Sequence, residues 1–292
     1  MASVSNTYGL QQAQNYIPRI LSDYILGVRE KNLQAAKFVT RRDMDVAEFG
    51  QTVDFPVDAD FTAYNYADGN RLTDNLSSAI DTIVSLTVSQ IPMRPFMILD
   101  TAKTQAKADL KALKLKRAGY IIAKTIDSSI LSEGLNFSAN TIQNENTPTT
   151  AITLAQLVAC KATLDKLDVP EEDRVWFLSP QVIQDMMGLP GNYFTSLDFA
   201  QTQSLVKGQI SQLLLGSPVV VTTNLPTGTS GSPVSTFTKN MYFHKSAIAV
   251  ATQRDVEYQE EYNMDLQGTL RNARSMYGTK CLRSNHGVLL YR

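Results

Sequence analysis

The stretch from Asp100 to Gly134 constrains this chain more than any other. Ala102, Ala106, Leu110, Leu113, Ile121, Ile122, Ile126 and Ile130 recur there at helical spacing. Asp100 offers an N-cap and Gly134 a stop, so the pattern predicts one continuous helix between them. Such a helix is far longer than the usual ~11–12 residues of a globular protein. A fold containing it must be organised around a strut.

The flanking segments show what the strut supports. Ile20, Tyr24 and Val28, with Leu21 and Ile25, predict an amphipathic helix from Pro18 to about Thr40, after a polar tail over residues 1–17. Gly50–Pro56 and Thr82–Ser89 each read as a strand; in the second, Val84, Leu86 and Val88 share one face. The connection between them is polar, acidic and turn-rich, with Asp68-Gly69-Asn70 its clearest turn. This is an extended hairpin, which alone in water is marginal and must lean on something else. Beyond the long helix come a polar loop over 135–150, a helix over 153–167, a strand Arg174–Leu178 and a short helix after Pro180. A β-branched strand at Pro218–Thr222 is expected to be central, and 224–238 to be an exposed loop. Four strands are expected at the C-terminus: Ala247–Ala251, Val256–Tyr262, Ser275–Leu282 and Val288–Tyr291.

Composition excludes several classes. With 27 basic and 28 acidic side chains the formal net charge is −1, unlike a general nucleic-acid binder. The longest uncharged run, Gly208–Thr238, is broken by three prolines and cannot form a membrane-spanning helix. No basic residue precedes Arg19, so no signal peptide is expected. Cys160 and Cys281 lie far apart, outside any C-x-x-C pair, and both read as small hydrophobes in a reducing compartment. No two glycines stand two positions apart and no Gly-Lys dipeptide occurs, so dinucleotide-binding and P-loop motifs are absent. The two histidines, His244 and His286, are too few for a metal site without carboxylates beside them. No catalytic residue, cofactor or metal is expected.

The charge is distributed in blocks. From Asp43 to Asp81 there are nine acids and one base, Arg71, a local charge of −8. From Lys103 to Lys124 there are seven bases and one acid, Asp109, a local charge of +6. Asp255–Asp265 holds five acids and no base. Solvated faces are one reading. Complementary surfaces on neighbouring copies are another, with Asp54, Asp58, Asp60, Asp68 and Asp74 on the hairpin facing Lys107, Lys111, Lys114 and Arg117 on the helix. Phosphate contact by the helix is a third, weakened by its single aromatic, Tyr120.

An ordered set of segments resembles the major capsid proteins of tailed bacteriophages, which have the Hong Kong 97-like fold. IPRILSDYILGVREKN looks like the family's N-terminal arm; GQTVDFP opens and LTVSQ closes its extended loop; LDTAKTQAKADLKAL looks like the start of its spine helix. VPEEDRVWFLSPQVIQDMM and VKGQISQLLLGSPVVVTTNLP resemble its axial-domain segments, and FHKSAIAVA with MYGTKCLRSNHGVLLY its C-terminal end. The resemblance implies an α+β fold in four parts: an arm (1–44), an extended hairpin loop (45–90), a peripheral domain with the spine helix (91–134 and 252–278) and an axial α/β domain (135–251 and 279–292). It implies a non-enzymatic shell subunit, self-assembling into pentamers and hexamers around double-stranded DNA, in a virion built in the host bacterial cytoplasm. A separate scaffolding protein is expected, since few residues precede Pro18, with a portal and a decoration protein as further candidate partners and no membrane. No lysine lies between Lys37 and Lys103, which excludes the loop-lysine cross-link of some relatives. An encapsulin-like compartment enclosing a cargo enzyme is the alternative within the same fold, and a soluble enzyme the distant one.

Overall fold

A computed structural model describes residues 33–43, 52–57, 82–105, 110–137, 139–142, 151–188, 213–230 and 235–292. Three sheets organise them. The first has four strands in the order β1-β11-β12-β4: Thr40–Arg41 (β1), Ile248–Asn263 (β11), Gly268–Cys281 (β12) and Met93–Leu99 (β4). The second is the hairpin of β2 (Thr52–Val57) and β3 (Thr82–Thr87). The third is mixed. It contains β5 (Thr141–Ile142), β6 (Arg174–Leu178), β7 (Leu213–Leu214), β8 (Ser217–Val221), β10 (Ser235–His244) and β13 (Gly287–Tyr291) in the order β5-β13-β10-β6-β8-β7, with β9 (Thr227–Ser230) paired to the start of β10.

The long helical pattern appears as α1 (Asp100–Gln105) and α2 (Leu110–Glu133), either side of residues outside the described set, and α2 passes into a 3₁₀ turn at Gly134–Phe137. Ala118 and Ile122 of α2 pack on Ala273 of the four-stranded sheet, beside Phe96 and Val256. Further along, Ile130 and Leu131 pack on Val175, Phe177, Met241 and Phe243 of the large sheet. One helix therefore spans both sheets. The predicted stripe holds for this part only: Ala102 and Leu113 are exposed, because α2 meets the sheet from Ala118 onward.

The large sheet is covered on both faces. Alternation puts Val175 and Phe177 of β6 toward α2, and Trp176 and Leu178 toward α3 (Leu154–Lys166) and α4 (Pro180–Met187). Burial on both sides is why this strand is a continuous apolar run. Trp176 stacks on Tyr242 at 3.9 Å between ring centroids and donates its indole N–H to the Leu214 carbonyl at 3.2 Å. Ser179 caps α4, its Oγ accepting from the Val182 N–H, and Pro180 occupies the first turn.

Several expectations need correction. Residues 33–41 do not continue an α-helix: Ala35–Lys37 is a 3₁₀ turn and Thr40–Arg41 a strand parallel to β11. Ala35 and Val39 are drawn into the core there, and tertiary pairing overrides the local period. The predicted helix from Pro18 otherwise lies outside the described residues. Strand β4, which the sequence pattern did not predict, carries Pro95, accommodated because β4 is an edge strand. The segment 224–238 is not a loop throughout, since β9 pairs with β10 and Phe237 is buried over Gly228. Strand β8 is second from the sheet edge rather than central. The first two predicted C-terminal strands are one, β11, whose register shifts near Arg254 let it bend without breaking. Val158 on α3 faces solvent, whereas Cys160 is fully buried and its thiol is pushed up to about 12 by desolvation.

Candidate inter-subunit interface

The hairpin pairs in antiparallel register from Thr52↔Thr87 to Val57↔Thr82. Val53, Phe55, Val84 and Leu86 thus lie on one face, as the alternation predicted. Val88 and Leu86 on it are fully buried against Ala249 and Ala251 of β11, while Val84, Val53 and Phe55 are half-buried; Ile83, on the opposite face, is 66% exposed. The root of the hairpin is seated on its own subunit, with Val53 and Phe55 packed partly against the same cluster.

The predicted charged residues fare differently from one another. Asp54 is exposed on β2 and its carboxylate accepts from Ser85 Oγ at 2.6 Å across the ladder. Asp58, Asp60, Asp68, Asp74 and Lys107 lie outside the described residues. Lys111, on the first turn of α2, reaches Glu260 of the third acidic block at 3.6 Å. Glu260 also accepts from Arg271 Nε at 2.9 Å, and Glu257 pairs with Arg274 at 3.3 Å. Two of the five acids of the third block, Glu257 and Glu260, are therefore paired within their own chain. Arg271 and Arg274 stand directly opposite Glu260 and Glu257 in the β11–β12 register. Both lie beyond the turn on β12, outside the acidic block, so local charge alone does not reveal the pairing. Arg271 chiefly, then Lys111, holds the exposed Glu260 carboxyl below the usual range.

Lys114 and Arg117 border a groove of about 570 Å³ between α2 and β4. Arg94 adds a third cation, and Phe96, Leu99 and Ile121 supply apolar lining. The Arg117 guanidinium lies 5.0 Å from the Tyr120 ring centroid, and its Nη1 is buried without a hydrogen-bond partner. An apolar trough with three cations is a surface suited to an acidic, partly apolar partner.

The root of the N-terminal segment is tied down by polar contacts. Asp127 of α2, only 4% exposed, accepts from the Ala35 N–H at 2.7 Å and from Asn224 Nδ2 at 3.1 Å. Asp43 accepts from the Thr252 N–H at 2.8 Å and pairs with Arg41 at 2.6 Å. Nothing in the sequence marked Asp127, one of two acids on a basic helix. Among the described residues no cluster of three metal-ligating side chains occurs, and no helix is long and apolar enough to cross a membrane.

This arrangement of arm root, hairpin, spanning helix and two sheets is that of the Hong Kong 97-like capsid fold. A structure from Mycobacterium phage Che8 matches over 94% of this chain and 97% of its own, with a TM-score of 0.80 at 21% identity. The capsid of cyanophage P-SCSP1u matches over 95% and 93%, with a TM-score of 0.73 at 17% identity, and the capsid of Ralstonia phage GP4 over 99% and 98%, with 0.64 at 11%. No protein of curated function matches the sequence. A family model described as phage capsid protein matches residues 95–283, and the chain belongs to that family as a major capsid protein. The family is one of structural proteins of phage shells, which disfavours the enzyme-compartment alternative.

Proposed function

We propose that this subunit forms the pentamers and hexamers of an icosahedral shell around double-stranded DNA. In this reading the large sheet with α3 and α4 packs around the capsomer centre as the axial domain. The four-stranded sheet with α2 forms the peripheral domain, while the arm and the hairpin tie neighbours together. The observation that carries the reading is the hairpin: an apolar face fully buried at Leu86 and Val88 but only half-covered at Val84, Val53 and Phe55, on a segment too slender to stand alone. A neighbouring copy supplies the missing surface. The acidic hairpin and the trough bordered by Arg94, Lys114 and Arg117 are complementary in charge, and opposite potentials fix register more than they add affinity. The capsids of similar fold support this reading. Scaffolding protein, portal and assembly in the host cytoplasm accompany it.

Charge reversal tests the contact. Changing Asp54, Asp58 and Asp60 together to lysine is expected to abolish particles seen by sedimentation and electron microscopy while subunits remain folded. Reversing Lys114 and Arg117 to glutamate in the same chain should restore a fraction of them. Lys111 is a poor choice for rescue, because its loss also removes the pair with Glu260. Wild-type particle yield from the acidic-to-basic variant would return the hairpin acids to the status of a solvated face.

A further inference from the structure

The chain has only two histidines, 42 residues apart in sequence, and the fold brings them together. Their ring centroids are 6.0 Å apart. Ser246 stands between them, its Oγ 2.7 Å from His244 Nδ1 and 2.8 Å from His286 Nδ1. The Ser246 backbone N–H also donates to His244 Nδ1 at 3.2 Å, capping the 3₁₀ turn Lys245–Ala247.

The position of the cluster matters more than its composition. Among the described residues the chain passes between the four-stranded and the large sheet three times. One passage is the long helix. The second is Lys245–Ala247, which joins β10 to β11, and the third is Ser284–His286, which precedes β13 after β12. The two histidines and Ser246 sit on the two short passages. Around them, Leu282 and Arg283 both donate their N–H to the Ala247 carbonyl, at 2.8 and 3.2 Å. The cluster is thus the side-chain link between two neighbouring crossings.

The distances allow one consistent arrangement of protons. His244 Nδ1 accepts from the Ser246 N–H, so it carries a lone pair rather than a proton. The Ser246 hydroxyl then donates to the same lone pair, and His286 Nδ1–H donates to the hydroxyl oxygen. A proton added at His244 Nδ1 sets N–H against N–H and removes the cap. The surrounding charge acts in the same direction. Arg174, Lys245 and Arg283 face the rings with a single carboxylate, Asp173, against them. A proton added to one ring is repelled by these cations, and a second by the first protonated ring as well.

We propose that His244, Ser246 and His286 form an acid-released clasp, closing the two short crossings between the sheets while both rings are neutral and freeing them when the rings are protonated. Desolvation first, then the neighbouring cations, holds His286 down at about 4; desolvation chiefly, then Arg174, Lys245 and Arg283, also lowers His244 despite the opposing Asp173. A histidine lowered in the folded state contributes stability above the unfolded value of 6.5 and loses it as pH falls toward the folded value. The window of release lies between about pH 6.5 and about pH 4.

Hydrogen exchange on the full-length subunit, corrected for intrinsic rates, reads this directly. Amides of 245–247 and 282–286 should exchange at least about tenfold faster at the acid end of the window, roughly one decade per pH unit of linkage, while those of β6 and β13 do not change. The double variant His244→Asn and His286→Asn should show no such acceleration, since asparagine can cap the turn without titrating. Arg283→Gln should move the release to higher pH. If the double variant fails to fold, the wild type still decides. With only two histidines, their ring signals in proton NMR are assignable, and both must titrate together with the amide exposure. Rings titrating near 6.5 with no change in these amides, or unchanged acceleration in the double variant, would overturn the clasp.

Discussion

Replacing Gly278 by valine is expected to detach the root of the hairpin from the sheet beneath it. Gly278 pairs with Ala251 in the β11–β12 ladder, directly under the end of β3. A Cβ at this position would stand 2.4 Å from the Thr87 carbonyl oxygen and 3.0 Å from Val88 Cα. Both are backbone atoms, so no rotamer change relieves the clash. One strand must move, and the hairpin is the less anchored of the two. Its movement uncovers Leu86 and Val88 and strains the paired hydrogen bonds of Gln90 with Tyr277, each 3.0 Å. Overpacking of this kind costs about 1–3 kcal/mol, and loss of the Leu86 and Val88 contacts adds to it. Urea unfolding should show a lowered midpoint, and particle assembly should fail even where the subunit folds, because the hairpin leaves the root at the wrong angle. A Gly278→Val subunit with a wild-type midpoint and wild-type particle yield would refute the seating of the hairpin on this glycine.

Replacing Asp127 by alanine is expected to release the arm root. The change leaves the buried Ala35 N–H and Asn224 Nδ2 without their carboxylate, in a site that excludes water. Each abandoned donor costs about 1–3 kcal/mol, so about 2–6 kcal/mol for the two at neutral pH, part of it returned because a buried charge is also removed. Burial raises the Asp127 carboxyl above its ordinary 3.8 against the hydrogen bonds from Asn224 and Ala35, which lower it. Its contribution is accordingly largest at acid pH and is partly lost as pH rises through the folded value. The gap between wild type and Asp127→Ala should therefore widen on acidification toward 3.8. Chemical denaturation across pH, with limited proteolysis near Leu33–Arg41, measures both effects. A gap that narrows on acidification would show that the hydrogen bonds, not desolvation, govern this carboxyl.

Both sites illustrate a division in what was legible beforehand. The hairpin strands, the helices over 153–167 and after Pro180, the buried run Arg174–Leu178 and the helix ending at Glu133 all depend on periodicity and helix-end signals, which act within a few residues. The errors have a common origin. Residues 33–41 follow the core rather than their own helical spacing, and β11 stays continuous because β12 pairs with it along its whole length. The acidic block at Asp255–Asp265 looked unpartnered because its partners, Arg271 and Arg274, lie across a turn and Lys111 on another element.

The sequence by itself determined the class of this protein: a spine helix, a polar hairpin, an ordered set of capsid-like segments and no catalytic motif. It also determined that a net charge of −1 conceals opposed blocks. Only the tertiary structure decided which groups meet. It placed Asp127 under the arm, Gly278 under the hairpin and the two histidines either side of Ser246. Local pattern reports on neighbours in the chain, whereas buried polar contacts are made between elements far apart in sequence and exist only once the sheets have closed on them.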